Sequence, residues 1–530
     1  MGFKPYNRSQ MSLLGYSVEE FARNDPKSRF VVELVSKLDL SGLYSRYSSQ
    51  GGDSYAPDMM LALWFFAYSN GITSTRKLEE LCKFDTRYMY ITGNQQPDHS
   101  TLSRFRNTHL DLIIQYFAQI ILIAEAEGIS DFNEIAIDGS KIKSKSSKRH
   151  NYNEARLNKK LEAIRAEIRQ YMQRCDFVEQ GASDELDLES LRAEKARLER
   201  LEKELLERKA QLQARKKQLK TEHRCKHQIN IKEPEARLMP NLGASGYNAQ
   251  LAVDMSSHLI VAHDVVSEPN DQGQFLPIQQ QVEKTLGADV KRSYTADSGY
   301  HNSSDLKELE ERQVDAIIAD PQLANRSIQE EPTSMEDLLE EKRKLKRHDF
   351  VYHSDEDYYE CPAGKKLIPY KDKGDQKIYL SESCEGCPLF ELCVSSKKKV
   401  KQIHRSVREI YSEYMAKKLQ TTYAKERLKK RGHTIEPVFG NLKHNLGFSR
   451  FSLSGLQKVK GEFALMCIGH NINVMFKNLQ KKRLGALICL SFDKLDQYIA
   501  ISKTIVLSMA LFFINRIKIE KTKLCLNISF

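Results

Sequence analysis

Three carboxylates stand where acids do chemistry. Asp138 follows the apolar run Ile135-Ala136-Ile137 and precedes Gly139. Asp297 follows Tyr294-Thr295-Ala296 and precedes Ser298-Gly299. An Asp just past a buried strand lies at the carboxyl edge of a sheet, where α/β folds place their ligands. The glycine beside each lets a bulky phosphate approach closely. Glu436 sits instead in the helix-like run HTIEPVFGNLKHNL, whose apolar stripe is Ile435, Val438, Phe439 and Leu442. Carboxylates gathered from separate segments suit hard Mg²⁺. A pair of such ions roughly 3.5–4 Å apart activates the attacking oxygen and stabilises the leaving oxygen of an in-line displacement at phosphorus. Arg431 and Lys443, on either side of Glu436, would neutralise phosphate charge. Taken singly, each Asp reads more simply as a turn or cap residue.

Two further groups carry chemistry. Cys361, Cys384, Cys387 and Cys393 have the ligand types of tetrahedral zinc, with Cys384-x-x-Cys387 at their centre. Pro362-Ala363-Gly364 and Glu385-Gly386 supply turns that aim sulfurs inward. The gap from Cys387 to Cys393 is longer than in a zinc knuckle, so structural Zn²⁺ and plain buried thiols both stay open. The basic stretch KIKSKSSKR, from Lys141 to Arg149, includes Lys141 and Lys143. It reads either as a phosphate contact with steep salt dependence or as a solvated loop, and its place beside Asp138 favours the first. No Gly-rich phosphate loop and no Ser-His-Asp arrangement is visible.

The elements that must position these residues follow from the hydropathy pattern. Residues 1–130 read as helices: Met59–Tyr68 is a buried helix ended by Asn70-Gly71, and Ile72–Phe84 has helical periodicity. Pro97 opens another helix, with Asp98, Ser100 and Thr101 as caps and Phe105, Leu110, Ile113 and Ile114 as its stripe. This suits a DNA-binding helical domain or a plain bundle. From residue 131 to 480 strands alternate with helices, predicting a mixed α/β core. Glu134–Ile137 is a short strand ending on Asp138, Tyr247–Val253 and Leu259–Val266 form a hairpin, and Arg292–Ala296 and Val314–Ala319 are further strands. Two inserts interrupt the core. Residues 150–222 are charged and helical, with Leu191, Leu198, Leu205, Leu212 and Leu219 at every seventh position. Lys and Glu at the companion positions favour a solvated helical hairpin over a dimerising coiled coil. Residues 320–404 form the polar, Cys-containing insert. The tail, 481–530, has no assigned structure.

Composition narrows the class. With 40% hydrophobic and 29% charged residues the chain is of ordinary soluble type. Lys and Arg exceed Asp and Glu by 82 to 71, a net charge of +11 that suits a polyanionic partner. No secretory signal is visible, and the longest apolar run, Thr504–Ile514, is about half the ~20 residues that span a bilayer. The expectation is a cytoplasmic, nucleoid-associated protein with reduced thiols and no membrane partner.

Read together and in order, several segments resemble the DDE transposases of bacterial insertion sequences, specifically the insertion-sequence-1182-like group. They are Gly71-Ile72-Thr73-Ser74-Thr75-Arg76-Lys77, Pro97-Asp98-His99-Ser100-Thr101, Asp138-Gly139-Ser140-Lys141, Gly246-Tyr247-Asn248-Ala249-Gln250, Ala296-Asp297-Ser298-Gly299-Tyr300 and Ile435-Glu436-Pro437-Val438-Phe439-Gly440. The resemblance runs from about residue 20 to 480. It implies a ribonuclease-H-like catalytic core. It also implies that Asp138, Asp297 and Glu436 hold Mg²⁺, with Mn²⁺ able to substitute. Arg431, Lys443 and Tyr423 would grip double-stranded DNA at the terminal inverted repeats, and a homo-oligomer would cut those ends and join them to target DNA. A metal-dependent nuclease without strand transfer and a decayed DNA-binding relative acting as an inhibitor are the alternatives. Ser140 stands where the family commonly has Thr, and Glu233 where it often has Asp. The sole Trp is Trp64, so stacking on DNA would fall to Tyr300 or Phe451, both of which read more simply as core aromatics.

Overall fold

Met59–Tyr68 is apolar on every side because the helix it forms is buried on every side. The computed structural model describes residue 4 and residues 17–21, 25–47, 52–177, 185–218, 227–239, 242–323, 332–394 and 399–486. Two units divide it, Met1–Val474 and Met475–Phe530; of the second, residues 475–486 are described and are helical. The run Thr504–Ile514, Leu219 and the rest of the tail lie outside the described residues.

The first unit opens with helices α1 (Val18–Phe21), α2 (Pro26–Ser36), α3 (Ser41–Tyr44), α4 (Pro57–Ser69), α5 (Thr75–Phe84), α6 (Thr86–Thr92), α7 (His99–Thr108) and α8 (Leu110–Ala126). In α4 every residue from Met59 to Ser69 is buried. Arg106 of α7 lies 4.7 Å over the Trp64 ring and donates to the Tyr68 hydroxyl at 3.2 Å and the Thr73 carbonyl at 3.0 Å, so Trp64 is a core residue. Asp98 caps α7, accepting from the Ser100 and Thr101 amides at 2.8 and 2.9 Å. The single helix expected across Phe105 and Ile114 is two: the chain breaks at His109, and α7 meets α8 at 70°. The bend turns the stripe of α8 inward. Among the described residues no single helix is long and apolar enough to cross a membrane.

Strand β1 (Glu134–Lys143) leads into the main sheet. A two-residue strand β2 (Asn151–Tyr152) then opens an arm of two long helices, α9 (Glu154–Phe177) and α10 (Glu185–Gln218), closed by β3 (Ile229–Asn230), which pairs with β2. Leu198, Leu205 and Leu212 are buried against Leu157, Leu161, Ile164 and Ile168, so the seven-residue repeat is satisfied within one chain. Next come β4 (Arg237–Met239), β5 (Ala244–Asp254), β6 (Ile260–Val266), α11 (Phe275–Leu286), β7 (Ser293–Ala296), α12 (Ser303–Glu311) and β8 (Asp315–Ile318). The sheet runs β4-β5-β1-β7-β8, with β6 also paired to β5. Strand β5 runs antiparallel to its neighbours β6 and β1, and β1, β7 and β8 are parallel. Strand β1 does not stop at Ile137 as the sequence suggests. It continues through the polar residues 138–143 because β5, eleven residues long, pairs with its whole length.

The Cys-containing insert holds a second sheet that its polar composition conceals. After α13 (Met335–Glu341) come β9 (Val351–His353), β10 (Tyr358–Glu360), β11 (Lys366–Lys373) and β12 (Gln376–Ser381). The short α14 (Phe390–Cys393) precedes β13 (Gln402–Ser406), and neighbours in this order pair antiparallel as a meander. One face is apolar, with Phe350, Tyr359, Leu367 and Tyr379 buried, while β11 is exposed along most of its length, as antiparallel sheets allow. Helices α15 (Glu409–Gln420), α16 (Thr422–Gly440) and α17 (Leu456–Ala486) end the described chain.

Candidate active site at the carboxyl end of two parallel strands

Asp138 and Asp297 occupy equivalent places on neighbouring strands. The parallel ladder between β1 and β7 ends at Ile137 and Ala296, and each Asp is the next residue. Burial, and then the charge of Asp297, push the Asp138 carboxyl up to about 6, against the pull of Arg431. Arg431 Nη1 donates to Asp138 Oδ2 at 3.1 Å, and the Gly139 amide to Asp138 Oδ1 at 2.7 Å. Asp297 Oδ1 accepts from the Gly299 amide at 2.9 Å, opening a short 3₁₀ turn over Ser298–Tyr300.

Helix α16 delivers cations to β1 at helical spacing. Arg427 and Lys430 both pair with Glu134, and Arg431, one turn past Arg427, reaches Asp138. Pro437 inside α16 removes one backbone donor, and beyond Gly440 the chain widens into a π turn over Asn441–Asn445. Such turns re-aim side chains. Here Lys443 Nζ donates to Ser140 Oγ at 2.5 Å and to the Lys141 carbonyl at 3.1 Å. Burial, then the Lys141 charge, hold its ammonium below the usual lysine range.

The other expected site residues are less uniformly placed. Glu436 lies along α16 between Arg431 and Lys443, about 7.5 Å past Arg431 by helical rise. It is exposed, and its Oε1 is 3.7 Å from where a Cβ on Gly432 would sit. Lys141 is paired within the protein: its ammonium contacts Asp271 Oδ1 and Oδ2 at 3.1 and 3.2 Å. Lys143 is half-buried and ties the end of β1 to Ser449 and Phe451 through backbone hydrogen bonds. Tyr423 is far from the Asp pair. Its hydroxyl meets Ser293 and Asp315, both at 3.1 Å, at the amino ends of β7 and β8, roughly 13 Å from Asp297 at the ~3.3 Å rise of a strand. Tyr300 and Phe451 are buried in the core, so neither is placed to stack on a base.

Asp271, in the loop between β6 and α11, is the residue that sequence reasoning missed. Its Oδ1 accepts from Asn248 Nδ2 at 2.7 Å and Gln250 Nε2 at 2.8 Å. Its only sequence signal is Asn270-Asp271 before Gly273, which reads as a turn.

A divalent ion can be tested against these donors. Among the described residues no three or more His, Cys, Asp or Glu side chains are placed to hold a metal ion. The pair Asp138–Asp297 still fits one: it offers hard oxygens whose mutual repulsion a dication relieves, and Mg²⁺ is often held by one or two carboxylates plus water and substrate phosphates. The cysteines fare differently. Cys361, Cys384, Cys387 and Cys393 line one small cavity, and none of them is in a disulfide. Burial pushes Cys393 up to about 11 and raises Cys361. Among the described residues they are not grouped as ligands that could hold a metal ion, so the zinc expectation gains no support.

Residues 360–476 match the family described as transposase DDE domain, and residues 19–108 match the transposase domain DUF772. Both models describe transposase domains. The DDE match holds Arg431, Glu436, Lys443 and all four cysteines, whereas Asp138 and Asp297 precede it. The DUF772 match takes in α4 and α7 with their Trp64–Arg106 contact. No curated protein and no solved structure matches the chain.

Proposed function

We propose that this chain is a DDE transposase of the insertion-sequence-1182-like group, cutting DNA at the ends of its element and joining the freed 3′-hydroxyl to target DNA. The observation that carries the reading is the side-by-side placement of Asp138 and Asp297, with Arg431 on Asp138, in a chain with transposase domains towards both ends. The strand order, three antiparallel strands continued by two parallel ones, supports a ribonuclease-H-like core over residues 131–480. The arm and the Cys-containing meander are its inserts, and residues 1–130 are the DNA-binding domain.

In this reading Asp138 and Asp297 hold Mg²⁺ or Mn²⁺, and Glu436 completes the set from α16. The ion would supply Lewis-acid stabilisation of the oxygens that gain charge at phosphorus. The chain's own part is positional and electrostatic. Arg431 and Lys443 set positive charge along β1 for the phosphate. The protein works as a homo-oligomer on paired terminal repeats.

The test is cleavage of duplex DNA taken from the flanks of the gene, with and without Mg²⁺, by the wild type and by Glu436→Gln. Mg²⁺-dependent nicking at the element boundary, lost in the variant, is the expected result. Equal cleavage by both would remove Glu436 from the site. No cleavage by the wild type in either metal would end the reading.

A further inference from the structure

Resting on that reading, we propose that Asp271 is a positioning residue which fixes the distance between Asp138 and Asp297 by bracing the two glycines that follow them. The two Asp residues belong to segments far apart in sequence, and among the described residues β1 and β7 pair directly only over the four-residue parallel ladder before the chains part. Beyond that ladder something else must hold them in register. A Cβ on Gly139 would stand 2.4 Å from Asp271 Oδ1 and 2.4 Å from Gln250 Nε2. A Cβ on Gly299 would stand 3.5 Å from Asp271 Oδ2. The carboxylate therefore lies against the backbone after Asp138 on one side and the turn after Asp297 on the other.

Its anchors make it a bracket. Asn248 and Gln250 donate to Oδ1 from β5, and both are fully buried. Lys141, two residues past Gly139, spans both oxygens. Gln250 in turn accepts from the Tyr300 hydroxyl, and Tyr300 closes the turn that Asp297 opens. One side chain thus links β1, β5 and the 297–300 turn, and it consumes the positive charge of Lys141, which would otherwise compete with a cation for the catalytic pair. Asp271 need not touch the ion to do this.

The experiment is Mn²⁺ binding to the full-length protein without DNA, read from the free-ion electron paramagnetic resonance signal. It would compare wild type, Asp271→Ala, Asp271→Asn and Gly139→Ala, with thermal melts alongside. Asp271→Ala is expected to weaken Mn²⁺ binding about tenfold or more. Asp271→Asn keeps an acceptor for the two amides and is expected to recover part of that loss. Gly139→Ala leaves Asp271 in the chain but fills its space, and is expected to reproduce the loss. If Asp271→Ala does not fold, Asp271→Asn and Gly139→Ala decide. Wild-type affinity in folded Asp271 variants, within twofold, overturns the bracket and leaves the transposase reading standing. Absence of Mn²⁺ binding by the wild type overturns both.

Discussion

Replacing Asp138 by Asn should make the metal-free protein more stable while destroying the site. The ionised Asp138 is costly where it stands, because it is largely buried and faces Asp297. The rise from the ordinary 3.8 to about 6, at ~1.4 kcal/mol per pH unit, means the charged form costs about 3 kcal/mol in the folded state. The sign follows from linkage. Below about pH 4 the carboxyl is protonated in both states and the penalty is absent. Between 4 and 6 the unfolded chain releases its proton while the folded chain keeps it, so stability falls. Above 6 the full penalty is present. Asn resembles the protonated form, so Asp138→Asn should gain about 3 kcal/mol at pH 7 and nothing at pH 4. In a chain this long that is a rise of roughly 3 °C in melting temperature, since the entropy of unfolding grows by ~2 cal/mol/K per residue. The assay is denaturant unfolding at both pH values, repeated with saturating Mg²⁺, which should lift the wild type by about 2.7 kcal/mol at a hundred times its dissociation constant and leave the variant unmoved. A variant no more stable than wild type at pH 7, or an equal gap at pH 4, would refute the reasoning.

Arg431→Ala removes the guanidinium that opposes the rise and should move the Asp138 midpoint above about 6; carboxyl titration by NMR that finds it unmoved counts against the pairing. Gly71→Ala places a Cβ 2.6 Å from the Leu446 carbonyl at a φ of +73° and should destabilise by about 2–3 kcal/mol. Gly243→Ala, with φ +60° and open space, should lose only about 1 kcal/mol for its left-handed backbone, and equal losses in denaturant melts would dissolve the distinction. Leu205→Ala, at a position 1% exposed, should cost about 2–5 kcal/mol within the arm alone, seen as new proteolysis in α9 and α10 with an unchanged melt of the remaining protein. The Cys393 thiol, at about 11, should alkylate tenfold faster per pH unit from 7 to 10; a flat rate profile means another state of the sulfur.

What the sequence disclosed tracks the range of the force involved. Local rules placed the Asp98 cap, the buried α4, the β5–β6 hairpin and the turn that Asp297 opens, because each depends on neighbours in the chain. The heptad leucines were legible as a hairpin because Lys and Glu at the companion positions leave too narrow a stripe for a partner chain. Three features depended on distant strands and were not legible. Strand β1 runs on through polar residues because β5 offers it partners. The meander of the Cys-containing insert reads as polar because only one of its faces is covered. Asp271 reads as turn chemistry because its partners Lys141, Asn248 and Gln250 come from other elements. Tyr423, assigned to DNA by resemblance, sits at the opposite end of β7 because α16 runs the length of the sheet. Glu436 has its expected place along that helix, between Arg431 and Lys443.

The arm leaves and returns at one point, where Asn151 faces Asn230 across a two-residue ladder. Its stems are therefore about 5 Å apart, one strand spacing, whatever lies between them. With α10 alone 34 residues long, the outward reach is roughly 50 Å, yet none of that length is needed to complete the sheet. The arm can therefore be lengthened, trimmed or replaced by matched helical turns without shifting the register of the strands that carry the acids.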